Sequence, residues 1–164
     1  MNNATHIVAF TGHRTYDGKA NELLRATIGE LYNKGARHFR VGMAQGFDLA
    51  AGEAVVALMH SKEDIILEAC IPWPEFNIRF DTASRDRYRE VLAHATIVRY
   101  AADKYQPAIF HLRNDMLVEG AHTLVAWWDG GKSGTCYTVK RARKLGIIIK
   151  NLHPENQLSI AFSD

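Results

Sequence analysis

This sequence predicts an open α/β sandwich, with a mostly parallel central sheet covered by helices on both faces. Three observations carry that expectation. Short apolar runs alternate with stretches of helical period along the chain. Glycine-bearing turns stand at the ends of several of those runs. The length, 164 residues, fits one domain with one core. Strands alternating with helices pair in parallel through right-handed crossovers, so their strand-to-helix loops all leave at one edge of the sheet. Open α/β folds bind ligands at that edge.

The elements follow in order. His6–Phe10 is a short apolar run and the first strand, ending in Thr11-Gly12-His13-Arg14. Ala20–Lys34 is helical, with Leu23, Leu24, Ile28 and Leu31 on one face and Gly35 as its stop. His38–Met43 is the second strand and leads through Gly42-Met43-Ala44-Gln45-Gly46 into an apolar helix, Asp48–Met59. Ile65–Ile71 is the third strand. Pro72-Trp73-Pro74 breaks it and holds an aromatic ring out on a loop. Asn77–Arg89 is polar and arginine-rich, becoming helical toward Leu92. Ala95–Tyr100 reads as a fourth strand, Pro107–Glu119 as a helix and Thr123–Trp128 as a buried strand. A glycine turn, a helix from Cys136 to Leu145, the stop Gly146 and a last strand Ile147–Ile149 close the fold. Residues 150–164 are expected to be a peripheral tail on a single domain spanning 1–164.

A hydrophobic fraction of 47% and a charged fraction of 23% are those of an ordinary soluble domain. A net charge of +2 is too weak to argue for nucleic acid without a concentrated basic patch. Cys70 and Cys136 show neither metal-ligand spacing nor a disulfide framework. No apolar run is long enough to cross a bilayer, and the first residues lack the pattern of a signal peptide, so a cytoplasmic location is expected.

The stretch Gly130-Gly131-Lys132-Ser133-Gly134-Thr135, between an apolar strand and a helix, can serve as an anion cradle. Glycines let backbone N–H groups approach a ligand, and a helix N-terminus carries partial positive charge. A tight turn with a threonine cap explains the same residues, and no Lys-Ser/Thr pair closes a Walker-type loop. Arg14, after Gly12 and His13, can reach a phosphate in bidentate fashion or stand as a surface arginine. Asp48 can cap its helix or face a ribose, and Glu53 is a carboxylate on an otherwise apolar helix. Trp73 can stack on a base or plug the core.

Arg113-Asn114, then Met116, Ala121, an apolar strand and the Gly130–Thr135 turn together resemble the C-terminal signature of the SMF/DprA–LOG (SLOG) superfamily. Thr11-Gly12-His13-Arg14 is similar to the end of that group's first strand, and Gly42–Glu53 to its second glycine loop and helix. The likeness spans about Ile7 to Gly146 and is strongest to the YpsA-like (DUF1273) branch. It implies a Rossmann-like three-layer sandwich, a nucleotide ligand with no required cofactor or metal, and a homodimer or homotetramer.

Lonely Guy-type members cleave the N-glycosidic bond of nucleoside monophosphates, using an arginine matched by Arg113 and a glutamate after a Gly-Gly-x-Gly-Thr turn. Here the turn is one residue longer, and Cys136, Tyr137 and Thr138 stand where that glutamate is expected. An enzyme of this kind would therefore draw on Asp48, Glu53 and Arg113. Other members bind nucleotides, including ADP-ribose-like signals, and the DNA-processing branch binds single-stranded DNA.

The resulting expectation is a nucleotide-like small molecule with its phosphate on Gly130–Thr135 and Arg14 and Arg113 as charge partners. Thr11, Gly12 and His13 line the same edge, Gly42, Gly46 and Asp48 the sugar region, and Trp73 covers the base. N-glycosidase activity is the alternative. Single-stranded nucleic acid, held by the Arg79–Arg89 segment, is a more distant one.

Overall fold

A computed structural model describes residues 6–154. Strands β1 (His6–Gly12), β2 (Ala36–Val41), β3 (Ile66–Ile71), β4 (Ile97–Tyr100), β5 (Thr123–Trp127) and β6 (Ile148–Asn151) form one sheet. Its order is β4-β3-β2-β1-β5-β6, and every pairing is parallel. Helices α1 (Asn21–Asn33), α2 (Phe47–Met59), α3 (Thr82–His94), α4 (Ile109–Val118) and α5 (Gly134–Lys144) connect the strands. This is the expected Rossmann-like α/β fold.

The order reverses direction between β1 and β5. At such a switch point the loops leaving the two strands diverge to opposite faces and open a crevice beyond their carboxyl ends. Alternation along β1 sends Val8 and Phe10 into one core with Phe39, Leu67 and residues of α1 and α2. Ala9 faces the other way, into a core shared with Leu124, Leu117 and Val139.

α4 is the return path from the edge strand β4 to β5, next to β1, so it must cross that second face. Two buried arginines fix its position reciprocally. Arg40 of β2 donates from Nη1 to the carbonyls of Met116, Leu117 and Glu119, groups that a helix end leaves unpaired. Arg113 of α4 donates back to the carbonyl of Gly42, just past the end of β2. Arg40 is in turn held by Glu68 of β3, which also binds His38 and Arg99.

Several local expectations need revision. Asn77–Leu92 resolves into a 3-10 turn, Phe76–Arg79, followed by α3, whose start is fixed by Asp81 accepting the Ser84 N–H at 2.8 Å. Leu23 points outward at 46% exposure, and Thr27 takes the buried position on α1. Residues 150–152 are part of the fold rather than a tail. Asn151 ends β6 and bonds both backbone groups of Trp128, and Leu152 is buried. The remainder of the expected tail, 155–164, lies outside the described residues.

Gly46 precedes α2 with φ 81° and ψ −123°, a conformation in which L side chains are strained. A Cβ there would also run into the Arg14 carbonyl. Gly46→Ala is therefore expected to lower folding stability by about 2 kcal/mol in urea denaturation. A variant as stable as the parent would mean that the two turns are not pressed together as described.

Candidate functional site

A cavity of about 180 Å³ opens at the switch point. Thr11, Gly12, His13 and Arg14 from the end of β1 form one wall, and Ser133, Gly134 and Thr135 at the start of α5 form the other. Asp48 of α2 with Arg113 and Asn114 of α4 line the rest, and all three are buried. Thus three of the separated turns do meet.

The α5 wall presents its helix N-terminus. Ser133 is the N-cap, and its Oγ accepts the Cys136 N–H at 3.1 Å. Among the described residues nothing accepts from the Gly134 and Thr135 N–H groups, so two donors at the positive end of the helix face the cavity. Arg14, opposite, is exposed and makes no hydrogen bond or ion pair among the described residues. A cation that is not neutralised by a neighbour is available to a ligand.

Asp48 and Arg113 converge on the backbone of Gly42. A Cβ on Gly42 would stand 2.6 Å from Asp48 Oδ2 and 3.1 Å from Arg113 Nη1, which is why no larger residue fits. Gly42 thus sits behind the cavity wall and shapes it indirectly. Burial pushes the Asp48 carboxyl up to about 6, against the opposing pull of Arg113, the Ala44 N–H and Arg14. Burial likewise pulls Arg113 below the usual arginine range, and Asp48 opposes that shift. Each charge supports the other in a place where neither would be stable alone.

His13 ties the β1 turn to the β5 turn. Its Nε2 lies 3.0 Å from the Asp129 N–H and 3.2 Å from Asp129 Oδ1. The neutral ring can accept the first contact, and the protonated ring can donate to the second.

Other expected residues lie elsewhere. Gly130, Gly131 and Lys132 do not line the cavity. The Gly131 N–H is taken by Asp129 Oδ1 at 2.8 Å and the Gly131 carbonyl by Trp128 Nε1 at 2.8 Å, so this half of the loop is a self-satisfied turn. Gly46 holds the α2 entrance against the β1 turn without facing the cavity. Glu53 is turned away and bonds Arg87 of α3 through both carboxylate oxygens. It has found a partner, as a carboxylate on an apolar helix must.

The same pairing engages Arg87, and Arg85 donates to the Phe80 carbonyl, while Arg79 and Arg89 are exposed. Trp73 lies in an adjoining trough of about 540 Å³ that shares Arg14 and Phe110 with the cavity. Asn114, noted only as part of the Arg113-Asn114 signature, and Phe110 line the site without having been assigned to it. Asn114 could have been found from its place beside Arg113, whereas nothing in the sequence marks Phe110.

The profile of the YpsA family, described as the YspA SLOG family, matches residues 8–147. The chain belongs to this family. It is 30% identical over 133 residues to a UPF0398 protein of Halalkalibacterium halodurans, covering 79% of this chain and 69% of that protein. It is also 30% identical over 152 residues to the uncharacterized SPbeta prophage-derived protein YoqJ of Bacillus subtilis, covering 84% and 89%. Among solved structures, DNA processing protein A (DprA) of Streptococcus pneumoniae superposes with a TM-score of 0.62 at 18% identity. That match covers 88% of this chain but 49% of the pneumococcal one, so the chain spans about half the length of that relative.

DprA of Helicobacter pylori, whose structure was described for its single-stranded DNA binding mode, gives a TM-score of 0.68 at 17% identity over 96% and 73% of the two chains. At these identities the likeness to both DprA structures is one of fold. Among the described residues of this SLOG-family chain, no helix is long and apolar enough to cross a membrane.

Proposed function

We propose that the switch-point cavity binds the phosphate of a nucleotide or nucleotide-derived small molecule. One observation carries this reading: two unpaired N–H groups at the start of α5 face the unpaired guanidinium of Arg14 across one small cavity. Helix N-termini and arginines are the ordinary ligands of phosphate oxygens. Asp48, deeper in the same wall, is suited to accept from sugar hydroxyls.

The test compares ribonucleoside 5′-monophosphates, ribose 5-phosphate and inorganic phosphate by calorimetry on the purified chain. Arg14→Ala is expected to weaken binding of every phosphate compound by about tenfold or more, since charge-assisted hydrogen bonds are lost. It should change stability by less than about 0.5 kcal/mol, because Arg14 is exposed and makes no hydrogen bond or ion pair among the described residues. No binding of any phosphate compound to the parent would overturn the proposal.

The N-glycosidase alternative now rests on Asp48 alone, because Glu53 faces away. Asp48→Asn would then abolish release of free base even at saturating nucleotide. Absence of release from every nucleoside monophosphate would remove this alternative. Single-stranded DNA enters through the Helicobacter pylori neighbour, and a gel shift that weakens steeply with salt is its signature.

A further inference from the structure

Beside the switch-point cavity lies a trough of about 540 Å³, three times its size, with walls of a different chemistry. Trp73 stands at its centre. The rings of Phe76, Tyr105 and Phe110 surround it at centroid distances of 5.3, 5.4 and 6.0 Å, tilted by 70°, 78° and 66°. Rings set edge to face in this way make ridges and notches rather than a flat parallel slot. Tyr105 is 61% exposed, and Ile78, on the 3-10 turn that forms one wall, is 66% exposed, the highest value among the large apolar side chains described. That turn, Phe76–Arg79, buries none of its residues, so the fold itself gives this surface no cover. Contiguous apolar exposure of this kind marks an interaction site.

The platform is also held in place. Prolines at 72 and 74 restrict the loop, and the Phe76 N–H bonds the Trp73 carbonyl at 3.0 Å. A partner that lands there meets a surface already ordered, which lowers the entropic cost of binding. The rim is cationic: Arg14 and Arg79 line it against one carboxylate, Glu75. Neither guanidinium makes a hydrogen bond or ion pair among the described residues, so both are open to an acceptor. Trp, Tyr and Arg joined in one fixed patch have the make-up of an interface hot spot.

We infer that the trough around Trp73, Tyr105 and Ile78 is a docking site for an extended, acidic, proline-bearing segment of another protein. Aromatic-lined grooves suit such segments, because a polyproline II helix is already extended and loses little entropy on docking. Prolines seat in the notches between the rings, aliphatic contact covers Ile78, and acidic side chains meet Arg79 and Arg14. Arg14 and Phe110 also line the cavity, so a docked segment lies against its mouth. Docking itself needs no ligand in the cavity.

The experiment selects phage-displayed random dodecapeptides on the whole chain and on Trp73→Ala, then titrates labelled synthetic peptides by fluorescence anisotropy. Peptides enriched on the parent alone are expected to carry proline together with Asp or Glu. Trp73→Ala, Tyr105→Ala and Arg79→Glu should each weaken such a peptide by about tenfold or more, the loss expected of one hot-spot side chain. Tyr105 and Arg79 are exposed, so those two variants keep the fold, and melting curves check all three. The same peptide with Lys in place of each acid should bind the parent poorly and regain affinity for Arg79→Glu.

No peptide enriched on the parent over Trp73→Ala would overturn the inference, as would enriched peptides that lack proline or carry Lys and Arg instead of acids. Peptide binding unchanged by Tyr105→Ala and Arg79→Glu would place the contact elsewhere on the surface and overturn it too. Adenosine or thymidine binding that Trp73→Ala abolishes, with no peptide enriched, would assign the trough to a base. Self-association lost in the same variant would assign it to a second copy of the chain.

Discussion

Glu68→Ala is expected to cost about 3–5 kcal/mol of folding stability, far more than a surface substitution. The carboxylate is 2% exposed and lies 2.6 Å from His38 Nε2, 3.2 Å from Arg40 Nε and 2.8 Å from Arg99 Nη1. Removing it leaves Arg40 with its charge buried and unopposed, which is the costly way to break such a cluster. Burial acts to raise the Glu68 carboxyl, but His38, Arg40 and Arg99 together hold it below its ordinary 4.5. The sign follows. Its folded pKa is depressed, so its contribution is present above pH 4.5 and is lost as pH falls through the lower folded value.

Urea denaturation between pH 3 and 7 should therefore show the parent and the alanine variant converging only on the acid side. Glu68→Gln should fall between them, because it keeps shape and hydrogen bonds without the charge. A loss below about 1 kcal/mol at neutral pH would mean that the cluster is a solvated surface network. The damage should also reach the ligand site. Arg40 caps the far end of α4, and α4 carries Arg113 and Asn114 to the cavity.

That long-range link shows what could and could not be read from residue order. Apolar runs and periodicity located the strands and the five helices connecting them, although the edge strand β4 buries no face. The glycine turns were legible because a backbone pressed against a neighbour admits no side chain. Strand order was not legible. Nothing in the run Ile97–Tyr100 says that it lies at an edge, three strands from β1, and so nothing reveals that α4 must cross the sheet.

The glycine stretch misled in a specific way. Gly131 is occupied by Asp129 and Trp128, whereas the Gly134 and Thr135 N–H groups have no acceptor among the described residues and belong to the cavity wall. Sequence alone cannot show which amides of a loop are already spent. Glu53 misled similarly, because its partner Arg87 is 34 residues away and the pairing exists only once α2 and α3 pack together. Asp48 and Arg14 do line the switch-point cavity, because their position depends only on the end of a strand or the start of a helix.

Asp48→Asn is expected to remove the pH dependence that burial imposes on this carboxyl, while leaving the buried Arg113 charge without its counter-charge. The ordinary value is 3.8 and the folded one about 6, so the folded state holds a proton that the unfolded state has released between those limits. Stability of the parent must then fall as pH rises from 3.8 to about 6 and level off above, the opposite slope to that from Glu68. The asparagine variant should lack the fall and match the parent near pH 3.5.

A buried charge kept at such a cost needs a use, and ligand binding identifies which one. If the ionised carboxylate accepts from sugar hydroxyls, the variant will bind nucleotides more weakly at pH 7 than at pH 5, relative to the parent. If instead the carboxyl must be protonated beside an incoming phosphate, the parent will bind more tightly as pH falls through 6, and the variant will bind well throughout. Taking the ratio of the two proteins at each pH cancels the titration of the phosphate itself. A parent whose stability is flat across that window would show that Asp48 reaches solvent and that the cavity wall is more open than the geometry around Gly42 requires.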